Sequence, residues 1–138
     1  MPGIDECLLE AMRLPGARGA ALVDWTSGLA LGTVGESPGG DPEAAAVEAA
    51  ELARLAVEQH AFAAGVGARA GEEGDGDGAG PPVEDLIISN RDSYHVLRFV
   101  PTPFDSSVCL HLWLARAEGN LALARIRLGE MAGRLVLG

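Results

Sequence analysis

Two short apolar runs within residues 19–34 constrain this chain most. They flank Asp24-Trp25-Thr26-Ser27-Gly28. Asp and Ser are turn formers, and Gly28 can take the positive φ that closes a hairpin. The stretch therefore reads as two antiparallel strands joined by a tight loop. Neither strand alternates cleanly between polar and apolar residues. Strands of that kind are covered on both faces, so the hairpin is expected inside a sheet with helices on either side.

The remaining segments fit around that sheet. Residues 4–14 predict a short helix, with Ile4, Leu8 and Ala11 on one face and Cys7 and Met12 beside them; Pro15-Gly16 ends it. Asp41 supplies an N-cap and Pro42 the first helical position of a second helix, expected to run to about residue 64. Residues 83–90, 94–100 and 108–115 read as strands. In the last of these, Val108, Leu110, Leu112 and Leu114 share one face, and Cys109, His111 and Trp113 the other. Asn120 caps a final helix whose Leu121, Ala124, Leu128, Met131 and Leu135 form a regular core stripe, with Arg125, Arg127 and Arg134 outward. The order is α-β-β-α-β-β-β-α. With 138 residues and neither half large enough for its own core, this is one α+β domain over 1–138. Its one low-complexity segment, 65–82, holds seven Gly and the acidic residues Glu72, Glu73, Asp75 and Asp77. It reads as a flexible linker, because such a composition offers nothing to pack. A calcium loop starting at Asp75 fails, because its twelfth position is Leu86 and Pro81-Pro82 interrupts it.

Several function classes drop out. The formal net charge is −10, and all ten basic residues are Arg. An acidic chain repels phosphate backbones, so nucleic acid and anionic membrane are poor partners. No apolar stretch is long enough to span a bilayer. With two unspaced cysteines, Cys7 and Cys109, and no signal-peptide pattern, the chain is expected to be cytoplasmic. His60, His95 and His111 share no metal-ligand spacing, so neither metal nor cofactor is expected. A P-loop is excluded by the lack of Lys. Asp24 and Ser27 share a turn, where turn-capping accounts for both. The chain is therefore not expected to be an enzyme.

The second helix carries the most suggestive surface. Its apolar positions cover about half the circumference, which is wider than packing on its own sheet requires. Ala46, Ala49, Ala50, Leu52, Ala53, Ala56 and Val57 lie on that arc, and such small residues would let another helix approach closely. Leu55 and Phe62 fall on the other side, among Glu48, Glu51, Arg54 and Glu58. They either cover a corner of the sheet or form an exposed anchor for a partner.

Three stretches, in this order along the chain, resemble the roadblock/dynein-light-chain family. The first runs from Pro15-Gly16 through the apolar 20–23 to Asp24, then Ser27-Gly28 and the apolar 29–31. The second is Glu84-Asp85-Leu86-Ile87-Ile88-Ser89-Asn90 followed by Tyr94-His95-Val96-Leu97. The third is Gly119-Asn120-Leu121-Ala122-Leu123-Ala124-Arg125. The resemblance implies a five-stranded antiparallel, profilin-like sheet with the second helix on one face and the first and third on the other. It implies a homodimer formed by second helices packing together and third strands pairing edge to edge, which adds Leu86 and Ile88 to the interface. It also implies binding of a Ras-like small GTPase or a scaffold role, and in some bacterial members promotion of GTP hydrolysis by the partner. Segment 65–82 is longer than the tight connection usual in that family, and Trp25 is unusual in the hairpin turn. The alternative is a profilin- or PAS-like small-molecule sensor, which would need a pocket between sheet and helix.

Overall fold

The computed structural model describes residues 3–63, 83–101 and 107–135. The elements are α1 (Ile4–Ala11), β1 (Ala17–Asp24), β2 (Leu29–Gly35), α2 (Pro42–Glu58), β3 (Asp85–Ser89), β4 (Ser93–Phe99), β5 (Val108–Ala115) and α3 (Leu121–Arg134). Short 3-10 turns occupy Pro38–Gly40 and His60–Phe62. The five strands form one sheet in the order β2-β1-β5-β4-β3, with every neighbouring pair antiparallel. The expected linker at 65–82 lies outside the described residues.

Alternation along the strands sends side chains to two separate cores. On one face Ala20, Leu22, Val96, Leu110, Leu112 and Leu114 meet Cys7, Leu8 and Ala11 of α1 and Ala124, Leu128 and Met131 of α3. On the other face Val23, Leu97, Phe99 and Cys109 meet Ala46, Ala49, Ala50 and Ala53 of α2. The arrangement is therefore α+β, as the element order predicts, with one helix on one face and two on the other, as the family resemblance implies. Asp41 caps α2 by accepting from the backbone N–H groups of Glu43 and Ala44, and Asn120 caps α3 through Leu123.

Three expectations change. The hairpin does not lie wholly inside the sheet: β1 is central, but β2 is an edge strand, and Leu29 and Leu31 stay exposed. An apolar run alone cannot tell an edge strand from a central one, because position is set by which strands pair on either side. The second helix stops at Glu58 rather than near residue 64, because Gln59 leaves the helical region at φ −82°, ψ 105°. The first helix ends at Ala11, with the chain turning through Leu14.

The hairpin turn is held from several directions. The Asp24 carboxylate accepts from the Thr26 N–H at 3.0 Å, the Thr26 hydroxyl at 2.8 Å and the Ser107 hydroxyl at 3.0 Å. Burial acts to raise this carboxyl, but the hydrogen bonds from Thr26, Ser107 and Ser27 outweigh it and hold it below its ordinary value. Gly28 adopts φ +81°, as a turn glycine can. Asp24 and Ser27 are thus structural members of the turn. The Trp25 ring packs edge-on against Phe99, with centroids 6.2 Å apart and planes at 84°. It closes the end of the α2 core, and that accounts for its place in the turn.

Candidate surface between the second helix and the β3 edge

The α2 helix lies over the sheet face that carries Val23 of β1, Cys109 of β5 and Leu97 and Phe99 of β4, and the edge strand β3 lies beyond them. Two open grooves run along this boundary. One, of about 530 Å³, is lined by Leu52, Leu55, Ala56, Gln59, Phe62, Val83, Asp85 and Leu86. The other, of about 230 Å³, is lined by Pro38, Ala45, Glu48, Ala49, Leu52, Ile88, His95, Leu97 and His111. Leu52 belongs to both. The exposed large apolar residues Leu52, Leu55, Phe62 and Ile88 all line this pair of grooves, with Phe62 76% exposed. Beside them, β3 is a sheet-edge strand, pairing only with β4 among the described strands.

The structure divides the residues of the Ala-rich arc differently from the sequence. Ala46, Ala49, Ala50 and Ala53 are between 0% and 4% exposed against the chain's own sheet, so their side chains have almost no surface left for a second copy. The width of the apolar arc misled here. An alanine faces a sheet or a helix equally well, and periodicity does not say which. Ala56 and Val57 are half-buried at the margin of the α2 core. Leu52, Leu86 and Ile88 remain as accessible members of the expected interface. Leu55 and Phe62, which the sequence sets apart on the charged side, share one groove with Leu52 and Leu86. They do not cover a sheet corner.

Among the charged residues expected around that anchor, Glu48, Glu51 and Glu58 are exposed. Arg54 differs. Its Nη1 donates to the Trp25 carbonyl at 2.7 Å, fastening the hairpin turn to α2. No ion pair joins it to Glu51 or Glu58 among the described residues. Arg54 is therefore a tether of the fold, and the i,i+3 and i,i+4 spacings did not reveal a backbone acceptor twenty-nine residues away. Hydrogen bonds to charged groups contribute about 1.5–3 kcal/mol. Arg54→Ala is expected to lower stability by about that amount while leaving the fold intact. A urea titration monitored by circular dichroism checks this; a midpoint equal to that of the unchanged chain would contradict it.

The sequence did not single out the floor of the smaller groove. His95 Nδ1 and His111 Nε2 lie 2.9 Å apart and share a hydrogen bond. The His95 ring stacks on Trp113, with centroids 5.8 Å apart and planes at 12°. On Trp113 lies the Arg18 guanidinium, 3.7 Å from the ring centroid, which also pairs with Glu36 at 3.2 Å. Burial, followed by the Arg18 charge, lowers the His95 pKa against an opposing pull from Asp92. Burial, followed by His95, lowers that of His111 to about 4. Both rings are neutral at neutral pH. The register explains the cluster, because Leu97 pairs with His111 and His95 with Trp113 across β4 and β5, placing the two imidazoles diagonally on one face. Reading residues 108–115 as a strand put His111 and Trp113 on one face, but His95 joins them only once the register is known.

Chemistry for catalysis is sparse. Among the described residues, no group of three or more His, Cys, Asp or Glu is placed to hold a metal ion. Cys7 and Cys109 are free thiols, both buried, and burial pushes the Cys109 thiol up to about 12. Among the described residues, no helix is long and apolar enough to cross a membrane.

This layering of helices on a β2-β1-β5-β4-β3 sheet is the fold of roadblock/LC7 domains. The particular likenesses are to a Roadblock/LC7 domain from Streptomyces avermitilis and to MglB structures. The first superposes with a TM-score of 0.61 at 19% identity, over 95% of this chain and 92% of that one. Myxococcus xanthus MglB superposes with a TM-score of 0.62 at 15% identity, over 89% of this chain and 77% of that one. An MglB in a tetrameric arrangement gives 0.66 at 17% identity, over 94% and 82%. No family model and no curated protein matches the sequence. At these identities the likeness is one of fold.

Proposed function

We propose that this chain is a non-enzymatic, dimeric regulator or adaptor of a Ras-like small GTPase. Fold likeness together with the three sequence stretches supports the class. The observation that carries the reading is the apolar groove system running beside the β3 edge, because a monomer seldom leaves an unpaired strand and a contiguous apolar surface together. In this reading a second copy covers Leu52, Ala56, Leu86 and Ile88 and pairs with β3, under two-fold symmetry. The GTPase contacts the rim, where Leu55 and Phe62 stand beside Glu58 and, further along α2, Glu51 and Glu48. Apolar anchors bordered by charge suit a transient interface. With Arg54 held by the Trp25 carbonyl, any effect on hydrolysis would come from ordering the GTPase's own groups rather than from an Arg donated from this position.

A small-molecule sensor finds less support. The cavity between the sheet and the start of α2, lined by residues such as Ala45, Ala46, Val23 and Trp113, holds about 20 Å³. That is room for a water molecule, and the larger spaces between α2 and the sheet, of about 230 and about 530 Å³, are open surface grooves rather than enclosed ligand sites.

Light scattering at micromolar concentration should give the mass of a dimer. Calorimetry with Ras-like GTPases, including any encoded beside this chain, should show binding in at least one nucleotide state. Leu55→Asp should keep the fold and weaken that binding by about 2 kcal/mol or more, beyond tenfold in affinity. No binding in either state at high micromolar concentration, or unchanged binding by the folded variant, would remove the GTPase assignment.

A further inference from the structure

We propose that the His95–His111 pair makes self-association of this chain pH-sensitive, holding two copies together at neutral pH and releasing them as the medium acidifies. The proposal rests on the self-association reading above and adds its regulation.

The geometry limits how many protons the pair can hold. With Nδ1 of His95 and Nε2 of His111 only 2.9 Å apart, one nitrogen must donate and the other accept. A neutral pair satisfies this. With His95 Nδ1 donating, a first added proton falls on the outer nitrogen of His95, the less buried ring, and leaves the shared bond intact. A second would set two N–H donors and two positive charges face to face, and the pair would have to part. Even the first proton puts a full charge into the groove lined by Leu52, Ile88 and Leu97. While the groove is open, water solvates that charge. Once a second copy covers it, the charge loses that water beside Leu52, Ile88 and Leu97, while Glu48, the acid lining the groove, is not among the charges that act on His95, and the covered state rejects the proton.

The surrounding charges do not supply a counter-ion within the groove floor. Arg18 of β1 is stacked on Trp113 and adds to the repulsion, although Glu36 at the end of β2 pairs with it. Asp92 in the turn between β3 and β4 favours the His95 proton, but it is outweighed by burial and Arg18. Glu48 of α2 lines the same groove from the helix side and is exposed.

The sign follows directly. Proton binding to the uncovered chain is stronger than to the covered one, so acid favours single chains. Association is independent of pH above the ordinary histidine value of 6.5 and weakens as pH falls below it. Two copies each give up a proton, so the dissociation constant rises steeply once the uncovered His95 titrates.

Sedimentation at about pH 7.5 and about pH 5, at one ionic strength, tests this, with circular dichroism showing that the chain is folded at both. The dimer dissociation constant should rise at least tenfold at the lower pH. In the His95→Gln/His111→Gln double variant, whose amides do not titrate, the rise should be twofold or less. Nuclear magnetic resonance of the imidazole C2 protons in the unmutated chain should show His95 titrating first, with a lower pKa at concentrations where the dimer forms. A dimer whose dissociation constant changes by less than twofold, or a double variant that loses affinity as the unmutated chain does, overturns the switch while leaving self-association standing. A chain that stays single at both pH values overturns the self-association reading and the switch with it.

Discussion

Ala53→Arg should leave the chain unfolded. Ala53 is fully buried on the sheet side of α2, in the cluster with Val23, Leu97, Phe99 and Cys109. An arginine there would have to displace close-packed side chains and place a guanidinium among Val23, Leu97, Phe99 and Cys109. Overpacking costs about 1–3 kcal/mol, and an unpaired buried charge adds several more. The sum is comparable with the whole stability of a small domain, about 5–15 kcal/mol. Far-ultraviolet circular dichroism and a urea titration decide the matter. The predicted outcome is loss of the cooperative transition. A folded single chain in place of a dimer would instead mean that Ala53 faces a second copy, as the width of the apolar arc alone suggests. The two outcomes are easily told apart, because only one retains native dichroism.

Phe99→Ala should cost about 3–5 kcal/mol, the usual range for removing a buried aromatic ring. The Phe99 side chain is 2% exposed and lies where β4, β5, α2 and the hairpin turn converge. Its loss removes the surface against which Trp25 packs edge-on, and the end of the α2 core would then have to collapse or stay hollow. The denaturation midpoint should fall without a change in slope, because the fold and the surface exposed on unfolding stay the same. A shift of under 1 kcal/mol would mean that the site closes over the cavity. The effect should also exceed that of Arg54→Ala, since the hydrogen bond from Arg54 holds the same turn from its rim.

Both substitutions concern the α2 face, and packing on this face also decides which residues of the helix stay accessible. Four alanines let α2 lie close to the sheet, which consumes the small-residue stripe within one chain. What stays accessible is the side of α2 that looks toward β3, where Leu52 and Leu55 line one groove with Leu86 and Phe62. The helix covers Leu97 and Phe99 of β4, while toward β3 the same sheet face is more open, with Ile88 exposed and His95 half-buried beside His111. The other free edge, β2, differs. Leu29 and Leu31 are exposed there, but β2 is flanked by α1 and α2 on its two faces.

Local chemistry alone determined the elements of this protein. The turn at Asp24–Gly28, the caps at Asp41 and Asn120, the alternation along Val108–Ala115 and the stripe of α3 depend on neighbours a few residues apart, and such interactions are written in spacing. Tertiary structure decided everything that depends on which element lies beside which. The edge position of β2 follows from the strand order. The burial of Ala46, Ala49, Ala50 and Ala53 follows from the sheet beneath them. The tie from Arg54 to Trp25, and the meeting of His95 with His111, join residues distant in the chain through one register of pairing. Apolar periodicity reports that a face is buried, but it carries no label for what buries it. That is why the core helices were legible from the residues, while the boundary between buried and accessible residues on α2 had to come from packing.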